Sequence, residues 1–80
     1  MTQFYIVEIK KGTEYEHNVF WAYDADPRTA RLKAESKYHE VLAAAAVSEN
    51  VTHAAILFSA EGEPLMHECY YHTAEEPVEE

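Results

Sequence analysis

The residues with the clearest capacity for chemistry lie near the end of the chain: His67, Cys69 and His72. Imidazole and thiolate groups bind zinc, and a cysteine beside a histidine can also form a nucleophile–base pair. On a β-strand, His67 and Cys69 point to one face and His72 points to the other. A tetrahedral metal site therefore needs a further ligand, for example His53 or His17, and no group that would orient a catalytic pair is evident. We expect a buried free cysteine and two edge histidines, with a minor metal or thiol site at His67 and Cys69 as an alternative.

Other motifs give no activity. His39 and Glu40 match half of a zinc-protease motif, but Ala43 stands where the second histidine is required. Gly12 and Gly62 lie in separate turns, so there is no glycine-rich loop to hold a phosphate. We therefore predict that the protein is not an enzyme and has no catalytic residue, cofactor or metal.

The charge of the chain bears on its partners and its location. The 80 residues include 15 acidic and 6 basic ones, giving a net charge of -9, which disfavours binding to nucleic acid or to an anionic membrane. The single cysteine excludes an internal disulfide and is compatible with a reducing compartment. No apolar run approaches the ~20 residues of a membrane span, and no signal peptide is evident. We expect the protein in the cytoplasm.

Hydrophobic patterning predicts two β-hairpins. Residues 4–9 and 15–23 are rich in β-branched and aromatic side chains, and Gly12 between them is expected to have a positive φ. Residues 52–59 are almost continuously apolar, and residues 64–72 follow a glycine-containing turn. Each pair of strands is therefore expected to form a hairpin.

A helix is predicted between the hairpins. Residues 28–47 contain no glycine or proline, Asp24 or Asp26 can cap the first turn, and Pro27 suits the first helical position. The helix is expected to end near residues 48–50. Its apolar residues recur at the spacing of one helical face: Ala34, Tyr38, Val41, Leu42 and Ala45.

The order ββαββ predicts an α+β fold with a four-stranded, mainly antiparallel sheet and one helix packed on one face. A helix of about 20 residues spans about 30 Å, as the strands do, so it returns the chain to the opposite end of the sheet. We expect the second strand at one edge, followed by the first, third and fourth. Residues 1–73 form this single domain, and residues 74–80 are predicted to be an acidic disordered tail.

The face that the helix leaves uncovered is the predicted interaction surface. If residues 10–12 form the first turn, the face that carries Tyr5, Val7 and Ile9 also carries alternate residues of the second strand, and this more apolar face should meet the helix. Those residues are Tyr15, His17, Val19 and Trp21. Two-residue turns would change which residues share a face, so the register stays open. The second face includes the polar residues Glu8, Glu14, Glu16 and Asn18. Large apolar residues also remain on it and mark an interface. The interface is predicted at Phe4, Ile6, Phe20, Met66 and Tyr70.

Residues 34–48 (AESKYHEVLAAAAVS), followed by residues 53–57 and a glycine-containing turn, resemble small proteins of gut Firmicutes and of their phages and prophages. The resemblance extends over about residues 4–72. It brings no catalytic motif with it. It implies an accessory or assembly role among phage structural proteins. It also implies a location in the cytoplasm of a bacterial host or in association with a virion.

The function predicted from these observations is that of a small acidic interaction module. It would form a homo-oligomer, with a dimer as the first expectation, or bind a protein partner through the uncovered face of the sheet. A second hypothesis is a phage-type inhibitor that mimics the charge of nucleic acid or sequesters a small ligand. The metal or thiol site at His67 and Cys69 is the third.

Overall fold

The computed structural model describes residues 1–72, which adopt the predicted ββαββ order. The predicted tail, residues 74–80, lies outside the described residues. The sheet has the order β2-β1-β3-β4, and all its neighbouring strands are antiparallel, so the predicted α+β fold and strand order are confirmed. The elements are β1 (Thr2–Lys11), β2 (Tyr15–Asp24), α1 (Pro27–Ala46), β3 (Thr52–Ser59) and β4 (Pro64–Tyr71).

The two hairpin turns differ in how they use glycine. Lys11 pairs with Tyr15, so residues 12–14 form the first loop, and Gly12 N–H donates to the Glu14 carbonyl at 3.1 Å. The expectation of a positive φ at Gly12 is wrong, because this loop closes without a left-handed residue. Gly62 in the second turn has φ 94°, a conformation that side chains with a Cβ rarely adopt.

The start of α1 follows the predicted capping pattern. The Asp26 carboxylate accepts hydrogen bonds from the Thr29 backbone N–H at 3.0 Å and the Thr29 hydroxyl at 2.7 Å, and Pro27 is the first helical residue. The helix ends at Ala46, slightly earlier than expected, with Val47 as the C-cap. His72 lies within hydrogen-bond distance of the last turn, with Nε2 2.9 Å from the Ala45 carbonyl oxygen. Within residues 1–72, α1 does not combine the length and the hydropathy that crossing a membrane requires.

The core between α1 and the sheet is thin. Ile6 and Leu57 are its largest fully buried side chains. Small residues on the inner face of α1 let the helix approach the sheet closely. Among the described residues, nine apolar residues are buried, and five of them are alanine. The nine are Ile6, Ala22, Ala30, Ala34, Tyr38, Val41, Ala45, Ala55 and Leu57.

Candidate functional site

The strand register divides the sheet into two faces. Ile6, Ala22, Ala55 and Leu57 belong to the core beneath α1, and residues directly opposite one another on neighbouring strands share a face. The alternate residues form the other side, which we call the open face. Its members are Gln3, Tyr5, Val7, Ile9 and Lys11 of β1, Tyr15, His17, Val19, Trp21 and Tyr23 of β2, Thr52, Ala54, Ile56 and Phe58 of β3, and Pro64, His67, Cys69 and Tyr71 of β4.

The predicted interface lies on the helix side of the sheet, so the prediction of its residues is wrong. Ile6 is part of the core, and Phe4, Phe20 and Met66 pack against it. Tyr70 stands opposite the buried His53 on the same side. The register confirms the predicted grouping of Tyr5, Val7 and Ile9 with alternate residues of β2, but these side chains lie on the side of the sheet away from α1. The β2 residues of this group are Tyr15, His17, Val19 and Trp21.

The helix side of the sheet also carries acidic residues. A single helix leaves the margins of that side uncovered, and polar side chains can lie there. Glu16 forms an ion pair with Lys10 at 3.5 Å, and Glu68 lies on β4, the strand that α1 contacts least. Glu8 is nearer the centre, and its Oε2 lies 2.6 Å from His53 Nε2.

Aromatic side chains form a row across the middle of the open face. The Tyr5 and Phe58 rings stack with centroids 4.9 Å apart, and the Tyr5 and Trp21 rings are tilted at 5.0 Å. Tyr5 pairs with Trp21 in β2 and with Phe58 in β3, so the row follows the strand register. Such ring pairs fix side-chain positions, so this part of the face presents a preorganised apolar surface.

The outer strand β2 carries a ridge of apolar side chains that project into solvent. We call it the β2 ridge, and it consists of Tyr15, Val19, Trp21 and Tyr23, which are between 50% and 64% exposed. Sequence reasoning assigned the first three to the helix-facing set. Their alternation along β2 groups them correctly, but it does not say which side of the sheet they occupy.

A shallow groove lies on the same face at the opposite edge of the sheet. We call it the β3–β4 groove; its volume is about 380 Å³. Ala54 is the smallest residue in its lining. Glu68 also borders the groove, but it stands opposite Ala55 and belongs to the helix side. The open-face residues that line the groove are Ala54, Ile56, Phe58, Pro64, His67 and Cys69.

The open face has no acidic side chain among residues 1–72. This is unusual for a chain with 15 acidic residues and a net charge of -9. The acidic residues of the described part lie in turns, on α1 and on the helix side of the sheet, and several are paired with Lys, Arg or His. On this face the alternate residues of the four strands include no Asp or Glu. That pattern is the sequence signal that could have identified the open face.

A buried hydrogen-bonded pair, Glu8 and His53, lies on the helix side of the sheet. His53 Nε2 is 2.6 Å from Glu8 Oε2, and Asn18 Nδ2 donates to Glu8 Oε1 at 3.0 Å. Burial acts to raise the pKa of Glu8, but the hydrogen bonds from His53 and Asn18 and the nearby charges of His53 and Lys10 outweigh it and hold the pKa below its ordinary value. His53 Nδ1 is buried and has no hydrogen-bond partner among the described residues. The pair links β1 to β3.

The histidines and the cysteine of the predicted metal or thiol site are dispersed by the fold. His67 and Cys69 share the open face as expected, but His53 and His72 are on the helix side and His17 is on the far edge strand. Within residues 1–72 no three His, Cys, Asp or Glu side chains are grouped in a way that could hold a metal ion. Cys69 is a free, half-buried thiol, and its Sγ donates to the Tyr70 carbonyl oxygen at 3.7 Å.

Comparison of the chain with protein-family models, with curated proteins and with solved structures gives no match. The function is therefore argued from the geometry of the open face.

Proposed function

We propose that the protein is a non-enzymatic interaction module that binds through its open face, and that its first partner is a second copy of the chain. The observation that carries the proposal is the chemistry of this face. Six of the ten aromatic residues of the chain belong to it, and no carboxylate of residues 1–72 does. A contiguous apolar surface larger than a few hundred Å² on a soluble domain typically marks an interface.

If two copies associate, charge favours the open face as their contact. Two chains of net charge -9 repel each other, and burying a carboxylate in their contact would cost several kcal/mol unless it were paired. The open face is the side of the sheet on which two copies can meet without burying any acidic group. Its charged side chain, Lys11, lies at the end of β1, with its Nζ 5.7 Å from the centre of the Tyr15 ring.

The thin core gives a second reason for association. The largest side chains of the open face, Trp21 and Tyr15 among them, contribute little to the monomer because about half or more of each remains exposed. A domain of this size buries a small share of its surface by itself, and association is one way to bury more. The accessory role in phage assembly implied by the sequence resemblance would use such an associating surface.

The proposal is tested by placing one charge on the open face and the same charge elsewhere. Val19→Asp changes a residue that is 50% exposed on the open face, and Leu32→Asp changes one that is 56% exposed on α1. Light scattering after size-exclusion chromatography should give twice the 9.2 kDa of one chain for the wild type and for Leu32→Asp. Val19→Asp should be monomeric, because a carboxylate would be buried in the contact.

Circular dichroism of both variants establishes that each is folded. A wild-type mass of 9.2 kDa at 100 µM would refute self-association through this face. An unchanged dimer in Val19→Asp, or dissociation caused equally by Leu32→Asp, would show that the contact lies elsewhere.

A further inference from the structure

The open face has two features of opposite shape at its two edges. The β2 ridge projects from one edge strand, and the β3–β4 groove lies beside the other. The strand order β2-β1-β3-β4 separates the two edge strands by three strand spacings, or about 14 Å. Within one copy the ridge therefore cannot fill the groove.

We propose that two copies pack open face to open face about a twofold axis that runs parallel to the strands. In this arrangement β2 of each copy lies over β4 of the other, and β1 lies over β3. Each β2 ridge then enters the β3–β4 groove of the other copy. This inference rests on the proposed function, because it specifies the partner and the geometry of the same face.

Symmetry leaves one principal alternative for two aligned sheets. A twofold axis perpendicular to the strands would place β2 over β2 and β4 over β4. The projecting side chains of the two ridges, including Trp21 and Tyr23, would then collide, and the two grooves would face each other across a void. Close packing of interfaces favours the arrangement that sets projecting residues against the groove.

The size of the face is adequate for a specific dimer. Four strands at about 4.8 Å spacing and about 26 Å in length give a flat area of about 500 Å² per copy, and side-chain relief increases it. Two copies therefore bury at least about 1,000 Å², which approaches the range of stable specific interfaces. Sheets that pack in this way cross at up to about 30°, which keeps β2 over β4 along most of its length.

One row of the sheet provides the experiment. His17 pairs with Ile9, Ile9 with Ala54, and Ala54 with Cys69, so His17 and Cys69 stand at the same height on opposite edges. A twofold axis parallel to the strands places His17 of one copy over Cys69 of the other. The two Cys69 residues would be about 17 Å apart, since they are separated by three strand spacings across the sheet and by about 10 Å between the sheets.

The test uses a short bismaleimide with a spacer of about 8 Å, two samples with one cysteine each, and their mixture. The wild type contains Cys69, and the variant His17→Cys/Cys69→Ser contains a cysteine on β2 instead. The mixture, after exchange of subunits, should give a covalent dimer at least tenfold more efficiently than either protein alone. The variant Leu32→Cys/Cys69→Ser, mixed in the same way, serves as the control on α1 and should give none.

Peptide mapping of the covalent dimer should identify the bond between positions 17 and 69. A dimer by light scattering that cross-links at 69–69 or 17–17, or that does not cross-link in the mixture, would overturn the arrangement while leaving the proposed function intact. A monomer by light scattering would overturn both.

Discussion

Replacing Glu8 by Gln tests whether the buried pair with His53 stabilises the sheet. The carboxylate side chain is 12% exposed, the imidazole is 5% exposed, and their nearest atoms are 2.6 Å apart. A hydrogen bond to a charged group contributes about 1.5–3 kcal/mol, and the amide keeps the shape of the side chain without the charge. Glu8→Gln should therefore lower the free energy of unfolding by about 1.5–3 kcal/mol at pH 7.

The pH dependence gives this prediction a sign. The pKa of Glu8 lies below its ordinary 4.5 in the folded protein, so the unfolded chain binds a proton at higher pH than the folded chain does. The stabilisation is therefore complete above pH about 5 and is lost as pH falls through the lowered pKa. The difference in stability between wild type and Glu8→Gln should be largest near neutral pH and should shrink below pH about 4.

Urea unfolding followed by far-ultraviolet circular dichroism, at one fixed protein concentration, measures both quantities. The matched control is Glu35→Gln, which removes the ion pair with Arg31 at 2.8 Å on the surface of α1. Exposed pairs contribute about 0–1 kcal/mol, so the control should be close to wild type. Equal losses in the two variants at pH 7, or a difference for Glu8→Gln that persists unchanged at acid pH, would refute the reasoning.

Two further substitutions test the assignment of the faces and of the turns. Ile6→Ala changes a fully buried position beneath α1 and should lower the free energy of unfolding by about 2–5 kcal/mol. Val7→Ala on the open face is the control. If urea unfolding shows that Ile6→Ala loses no more stability than Val7→Ala, the assignment of the faces is contradicted. Gly62→Ala, at φ 94°, should lower it by about 1 kcal/mol because of backbone strain. Gly12→Ala should have a smaller effect because Gly12 has no positive φ. If thermal unfolding shows that Gly12→Ala loses more stability than Gly62→Ala, the turns are not as described.

The sequence is sufficient to predict the elements and their order. Asp26 and Pro27 give the start of α1, and the change from strand to helix periodicity gives its extent. Antiparallel pairing of every neighbouring strand then selects the order β2-β1-β3-β4. These features are local, or follow from the lengths of the connections, and a single sequence contains that information.

The choice of face could not be made in the same way. Alternation in β1 divides Tyr5 and Val7 from Phe4 and Ile6, and both sets are apolar enough to form a core. The preference for right-handed crossovers fixes the side of the sheet that α1 covers, but assigning residues to that side requires the strand register, which the sequence left open. Glu8 then favoured the wrong choice, because its pairing with the distant His53 depends on the fold.

The central claim is that the open face is covered in solution, and Trp21 reports on it directly. It is the single tryptophan of the chain, and 54% of it is exposed in one isolated copy. Acrylamide quenching of its fluorescence should be weak at concentrations where light scattering gives a dimer, and should increase on dilution to the point at which the mass falls to 9.2 kDa. Strong quenching that is the same at every concentration would contradict the claim. It would mean that the protein stays monomeric, or that it forms a dimer in which Trp21 remains exposed.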